Sequence, residues 1–416
     1  MRNCFYPADI LLPDFKEIDG TRWACIACDQ FTSEIDYWND AEKTVGDAPS
    51  TLRLILPEIY LDSAESRTPQ INAAMDEYLE SILHVTPSAM IFVERVQSTG
   101  KVRRGIIGMI DLEKYEYKPG STSLIRATEG TVLERIPPRV AVRRDASVEL
   151  PHVMLLIDDP EKSVIEPLSD KELDCVYDFS LMLGGGSIKG KLLTKEEQTR
   201  VSDALEALVT DEKIQERYSM PLSPLLFAVG DGNHSLASAK AHYESIKEAL
   251  GDSAYSHPAR YALAEIVNLH DDALEFEPIY RVLFGVDPDD VVKELSEYLD
   301  SLDGNAKSQS IRCVNSKLDV TLTAKRPVHQ LTVGTLQIFI DEYLKAHKGA
   351  CVDYIHGEDS VEALTRKDDS IGFLFEGMRK DMLFKTVMLD GALPRKAFSM
   401  GHARDKRYYL EARKIK

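Results

Sequence analysis

Asp231 and His234 stand three residues apart in Gly230-Asp231-Gly232-Asn233-His234-Ser235. Either side chain can carry proton chemistry or hold a metal ion. Gly230 and Gly232 permit a positive φ and a close approach of a ligand to the main chain. Asn233 or Ser235 can cap a helix. The elements that must position these residues are legible on both sides. Leu225–Val229 is a short apolar run that reads as a buried strand, and Leu236, Ala239 and Tyr243 fall on one face of a following helix that ends near Gly251. A turn between strand and helix gathers unbonded N–H groups at the positive end of the helix dipole, where an anion is favoured. The spacing matches neither GxxxxGK[ST] nor GxGxxG. It fits an anion site, and it also fits an ordinary strand-to-helix turn with Asn233 as its cap.

Other residues have chemistry within reach. Asp29 follows the apolar run Trp23–Cys28, and Glu34 opens a short helix after Thr32 and Ser33. Carboxylates at the C-terminal end of a strand are well placed for catalysis in open α/β sheets. A turn residue and a solvated first-turn acid fit the same pattern. Gly184-Gly185-Gly186 would weaken a regular element, and suits a loop that wraps a ligand, with Lys189 or Lys191 supplying charge. Ile125–Thr131 offers polar residues beside a glycine that can line a pocket. Arg139, Arg143 and Arg144 form either a solvated face or an anion clamp. Asp158-Asp159-Pro160 ends a buried strand, as a turn or as a Mg2+ ligand pair. The tail from Gly391 to Arg407 is a basic patch in an acidic protein.

Those residues sit in a chain of 416 with a net charge of −19, which argues against a nucleic-acid partner, since phosphates are repelled. No apolar run approaches the length of a membrane span, and the N-terminus has no long apolar stretch of the kind a secretion signal carries. Six scattered cysteines do not make a disulfide framework and fit a reducing cytoplasm. The one CxxC, Cys25 to Cys28, lies in an apolar run and reads as structural. The length prior is two or three domains.

Strands and helices mix along the whole chain, so the expected fold is α/β with mixed sheets. Thr51–Tyr60 reads as a strand and Thr68–Leu83 as an amphipathic helix. Ala89–Val96 and Arg104–Asp111 read as a strand pair, and Thr194 with Glu197 as a capping box. Ile136-Pro137-Pro138-Arg139 blocks helix and strand alike and makes a hinge. That hinge places an N-terminal α/β domain over residues 1–148 and a larger one, with the glycine turn and basic tail, over 149–416.

Four separated motifs together resemble the conserved bacterial and archaeal domain-of-unknown-function family 1015. Its Asp-Gly-His-His-Arg signature is matched by Asp231-Gly232-Asn233-His234-Ser235, and its Pro-x-His-Arg strand by Pro278-Ile279-Tyr280-Arg281. Pro394-Arg395-Lys396 matches its Pro-x-Lys segment, and Ala27-Cys28-Asp29-Gln30 its early acidic motif. Three positions depart: Asn233 stands for His, Ser235 for Arg, and Tyr280 for His. If the family's arginine clamps phosphate, another cation, such as Lys189, Arg281 or Lys396, must do so here. The signature is also similar to the second box of the ParB and sulfiredoxin-like superfamily, which includes free-serine kinases, nucleotidases and CTP-dependent DNA clamps.

The resemblance implies a small-molecule kinase or other phosphoryl-transfer enzyme, acting on a hydroxylated metabolite such as serine with ATP or ADP and Mg2+. In that reading Gly230, Gly232, Asn233, Ser235, Gly185 and Lys189 hold the nucleotide. Asp231, with Asp178 as second choice, serves the metal, and Asp29 or Glu34 is the base. Arg281, Arg395 and Lys396 bind the transferred phosphate or a substrate carboxylate. A non-catalytic nucleotide or metabolite sensor would use the same pocket. A hydrolase would use His234 and Asp231 on water. A homodimer is left open.

Overall fold

A computed structural model describes residues 3–130, 136–219 and 222–416. The chain divides into two compact units, one of Met1–Leu274 with His402–Lys416 and one of Glu275–Gly401. The expected boundary near residue 148 falls inside the first unit. The reason is sheet pairing: Val153–Ile157 runs parallel to Tyr261–Asn268, which in turn pairs with Val102–Asp111. Strands from both sides of residue 148 thus share one sheet. The second unit is an insertion between Leu274 and His402, and no composition change announces either junction.

The sheet of the first unit is mixed. Its order is Asp174–Ser180, Ser187–Leu192, Ile91–Val96, Val102–Asp111, Tyr261–Asn268, Val153–Ile157, Phe227–Asp231, Ile125–Arg126 and Tyr115–Glu116, with Phe5–Tyr6 beside Val102–Asp111. Val153–Ile157 is buried throughout and Tyr261–Asn268 nearly so, as expected of central strands covered on both faces. The second unit holds Asp319–Ala324, Gln309–Val314, Ser370–Leu374, Phe276–Phe284 and Cys351–His356 in that order, with Phe398–Met400 on Phe276–Phe284.

Local readings hold where periodicity is strong. The helix Ala64–Ser81 buries Ile71, Met75 and Tyr78, and Thr194 Oγ1 accepts the Glu197 N–H at 3.2 Å. Two fail for identifiable reasons. Thr51–Tyr60 is not a strand but two 3-10 turns, Thr51–Leu54 and Glu58–Ser63, with Pro57 between them. Pro137 and Pro138 do not break the chain; they lie in the first turn of helix Ile136–Arg144, where their missing N–H groups have no acceptor to lose. In that helix Arg139 pairs with Glu58 and Arg143 with Glu149, so protein carboxylates meet both cations. Among the described residues no helix is long and apolar enough to cross a membrane.

The C-terminal segment is built into the first unit. Tyr408–Tyr409 pairs with Cys25–Ile26, and Arg413–Lys414 with Val148–Glu149. Trp23 Nε1 donates to the Leu410 carbonyl at 2.9 Å. Arg407, fully buried, bridges Glu265 and Glu411. A buried guanidinium must have its donors taken, and here two carboxylates take them.

Candidate active site

The strand Phe227–Asp231, Gly232 and the helix Asn233–Leu250 follow one another without a gap. Gly232 is the helix cap at φ 81°, with no side chain capping. Asn233 is therefore not the cap. It is the first helical residue, and its amide turns inward to Thr128, accepting the Thr128 N–H at 3.2 Å and donating to Thr128 Oγ1 at 3.3 Å. Thr128 belongs to the polar stretch expected to line a pocket; Thr131, in the same stretch, lies outside the described residues. A methyl on Gly232 would stand 2.8 Å from His152 Cδ2 and 3.1 Å from Val153 Cα, so glycine is needed here by the neighbouring strand as well as by φ. Gly230 packs against Leu156 in the same way. His234 and Ser235 follow in the first helical turn, with the His234 carbonyl accepting from Ser238 at 2.7 Å.

Asp231 accepts the Gly232 N–H at 3.0 Å and faces Lys406 Nζ at 3.3 Å. Asp29 lies just past the short strand Cys25–Ile26. It meets His152 Nε2 at 3.1 Å and Gln30 Nε2 at 2.8 Å. The other ring nitrogen, His152 Nδ1, bonds the Tyr409 hydroxyl, and that hydroxyl donates to Cys28 Sγ at 3.2 Å. Asp29, His152, Lys406 and Asp231 thus form one cluster of two acids and two bases beside the helix N-terminus. The carboxylate of Asp29 is its open member, 28% exposed against 8% for His152.

The electrostatics follow from that arrangement. Burial alone would raise the Asp29 carboxyl, but the His152 charge and hydrogen bond, with the more modest pull of Lys406, hold it below the usual carboxylate range. Burial alone would lower His152, and the Asp29 charge outweighs it, so the imidazole titrates well above its ordinary value and is charged at neutral pH. The arrangement can place positive charge against a phosphate and an ionised carboxylate against a hydroxyl. Among the described residues no group of three or more His, Cys, Asp or Glu is set to hold a metal.

The remaining expected residues belong to other elements. Glu34 is exposed at the start of helix Ile35–Val45. Asp178 and Lys189 are directly opposite each other on paired strands and form an ion pair at 3.0 Å. Gly185 closes the turn between those strands, where a side chain would overlap the Tyr408 ring. Arg281, Arg395 and Lys396 come together in the second unit. Arg281, fully buried, donates to Gln337 Oε1 at 3.1 Å and to the carbonyls of Ile279, Lys396 and Arg395. Arg395 pairs with Asp341, and Lys396 Nζ sits 4.8 Å from the Tyr354 ring centre. The residues missed from the sequence are His152, Lys406 and Tyr409. A lone histidine before an apolar strand and a basic tail were the available signals, and neither points to the other.

The model of the family described as "Protein of unknown function (DUF1015)" matches residues 12–389, and the chain belongs to that family. No curated protein matches it. Among solved structures it is similar to a conserved hypothetical protein from Pyrococcus furiosus, at 11% identity over 76% of this chain and 96% of that one, TM-score 0.34. It is similar also to a free serine kinase in complex with AMP, at 10% identity over 76% and 93%, TM-score 0.36. A third is SbnI with C-terminal truncation from Staphylococcus aureus, at 9% identity over 71% and 82%, TM-score 0.32. Likeness of this degree says nothing of the chemistry, which rests on the residues themselves.

Proposed function

We propose that the chain is a nucleotide-dependent phosphoryl-transfer enzyme, a kinase of a small hydroxylated metabolite such as serine. The observation that carries this reading is the convergence of Lys406, the first turn of helix Asn233–Leu250 and the partly exposed side chain of Asp29. Lys406 and the helix N-terminus would take the nucleotide phosphates. Asp29 would orient the acceptor hydroxyl. The hydroxyl oxygen attacks the terminal phosphorus, the bond from phosphorus to the nucleotide oxygen breaks, and the hydroxyl proton passes to Asp29. A carboxylate held so firmly ionised is a weak base. The proton therefore leaves late, once the new bond is forming, as a loose transition state allows. His152 and Tyr409 hold Asp29 in place and do not touch the acceptor. Mg2+ brought by the nucleotide would find one protein carboxylate, Asp231, and would supply charge neutralisation on the phosphates. The substrate class follows the resemblance of the Asp231–Ser235 turn to the free-serine kinases.

A non-catalytic nucleotide sensor is the second reading. It is favoured by the pairing of Asp231 with Lys406 and of Asp29 with His152, a set of charges that a ligand could exchange without chemistry.

The test is product formation from ATP or ADP with a panel of hydroxylated amino acids and sugars. The kinase reading expects turnover that requires an acceptor, its loss in Asp231→Ala, and a rise in the nucleotide KM of about tenfold or more in Lys406→Ala, the loss of a charged hydrogen bond. Nucleotide binding without turnover would establish the sensor. Phosphate release without an acceptor would mean a hydrolase. Absence of nucleotide binding would end all three.

A further inference from the structure

An open cavity of about 330 Å3 lies in the first unit, lined by Lys101, Arg104, Lys162, Glu166, Asp271 and Asp272. None of these belongs to the Asp29–Lys406 cluster. Most have partners. Lys162 meets Asp272 at 3.4 Å on the exposed rim. Asp271 accepts the backbone N–H groups of Arg104 at 3.1 Å and of Ala273 at 2.7 Å.

Two lining residues are short of partners. Among the described residues the Arg104 guanidinium has no hydrogen bond or ion pair, and its Nε is buried. Its cross-strand neighbour Glu94 is taken by Lys191 at 2.9 Å. Glu166 gives Oε1 to the Asn268 amide at 2.8 Å, while Oε2 is buried with no partner. Burial raises its carboxyl above the usual range, as expected of an acid that lacks a counter-charge. A buried polar atom without a partner costs free energy and asks for an explanation. The two residues that carry these atoms, one a cation and one an acid, line the same cavity.

We propose that this cavity binds a small zwitterion of the α-amino acid class, its carboxylate on Arg104 and its ammonium on Glu166. A simple anion would leave Glu166 without a counter-charge and add repulsion. A simple cation would do the same to Arg104. The volume lies at the small end of ligand sites, which range from about 300 to 1,000 Å3, and so suits a molecule of this size.

The test is calorimetric titration of the full chain, without nucleotide, by glycine, serine and glutamate, with acetate and methylammonium as half-ligands. Arg104→Gln and Glu166→Gln are titrated alongside, with thermal unfolding as the check on folding. Lys406→Ala serves as the control for the other site. The expected result is saturable binding of at least one amino acid, about tenfold or more weaker in each cavity variant and unchanged in Lys406→Ala, with the half-ligands weaker by a similar factor. No saturable binding by any amino acid would overturn the proposal. So would binding that survives both cavity variants, or binding lost in Lys406→Ala alone, which would assign it to the site by Gly232. Should a cavity variant not fold, the comparison of amino acids with acetate and methylammonium on the native chain still decides. Because no turnover is measured, the outcome does not depend on the kinase reading.

Discussion

The cluster at Asp29, His152, Lys406 and Asp231 in the first unit and the cluster at Arg281, Arg395 and Lys396 in the second use similar charged residues to opposite ends. In the first, acids and bases neutralise one another while Asp29 keeps a face toward solvent. Each member has a partner that a ligand can replace. In the second, the most prominent cation is turned wholly inward. Every nitrogen of Arg281 has an acceptor, three of them backbone carbonyls, and none of the side chain is exposed. It ties the Arg395–Lys396 segment to the strand Phe276–Phe284. A cation in a sequence thus carries two meanings, and the destination of its donors decides which applies.

The largest effect that sharpens this contrast is expected at Asp29. Replacing it by Asn should lower turnover by about 10²–10⁴, the range for a positioned proton-transfer group. It should also reverse the titration of His152. With the counter-charge gone, burial dominates, and the imidazole should titrate below about 6.5 instead of above it; 15N NMR of the ring reads this directly. The sign for stability follows. A depressed Asp29 stabilises above its unfolded value and loses that contribution as pH falls. A raised His152 stabilises below its unfolded value and loses it as pH rises through the folded one. The pair therefore contributes fully between about pH 4 and 6.5. A His152 that still titrates high in Asp29→Asn would break the account of the cluster.

The next effect belongs to the other cluster. Arg281→Met should lower the unfolding free energy by about 3 kcal/mol or more, because several buried acceptors lose their donor at about 1–3 kcal/mol each. Urea unfolding measures it. Nucleotide and acceptor affinities of the folded variant should be unchanged. Weakened substrate binding with stability intact would return Arg281 to the role its sequence context suggests.

The difference between the clusters also marks how far the sequence could be read. The strand, turn and helix around Gly232 were legible because an apolar run, a glycine and a helical period follow one another. The mixed α/β class was legible for the same reason across the chain. The companions of Asp29 were not. His152 is a single polar residue ahead of Val153–Ile157, with nothing local to show that Gly232 and Asp29 would flank it. Tyr409 lies on a strand only two residues long and Lys406 in the irregular stretch just before it, both without periodicity, beyond a second unit inserted between Leu274 and His402. Contacts of such separation are set by sheet pairing, which residue spacing does not encode. Arg281 differs again. Its strand was legible, but the apolar residues around it gave no hint that its donors would be taken by carbonyls of residues 395 and 396.

The smallest effect is the sharpest probe of the second cluster. Arg281 grips Arg395 through the backbone carbonyl, at 2.8 Å, so truncating the Arg395 side chain leaves that bond in place. What Arg395→Ala removes is the pair with Asp341, whose side chains are 57% and 39% exposed. A pair so open to water is worth about 0.2–1 kcal/mol, and salt screens it. The expected change in unfolding free energy is therefore small, and it should vanish at high ionic strength, as urea titrations at two salt concentrations would register. The acceptor KM should not move. If it rises severalfold while stability holds, Arg395 leaves Asp341 to meet the substrate. The second unit would then contain a binding cation one residue away from a structural one, and the contrast would lie within the segment rather than between the two units.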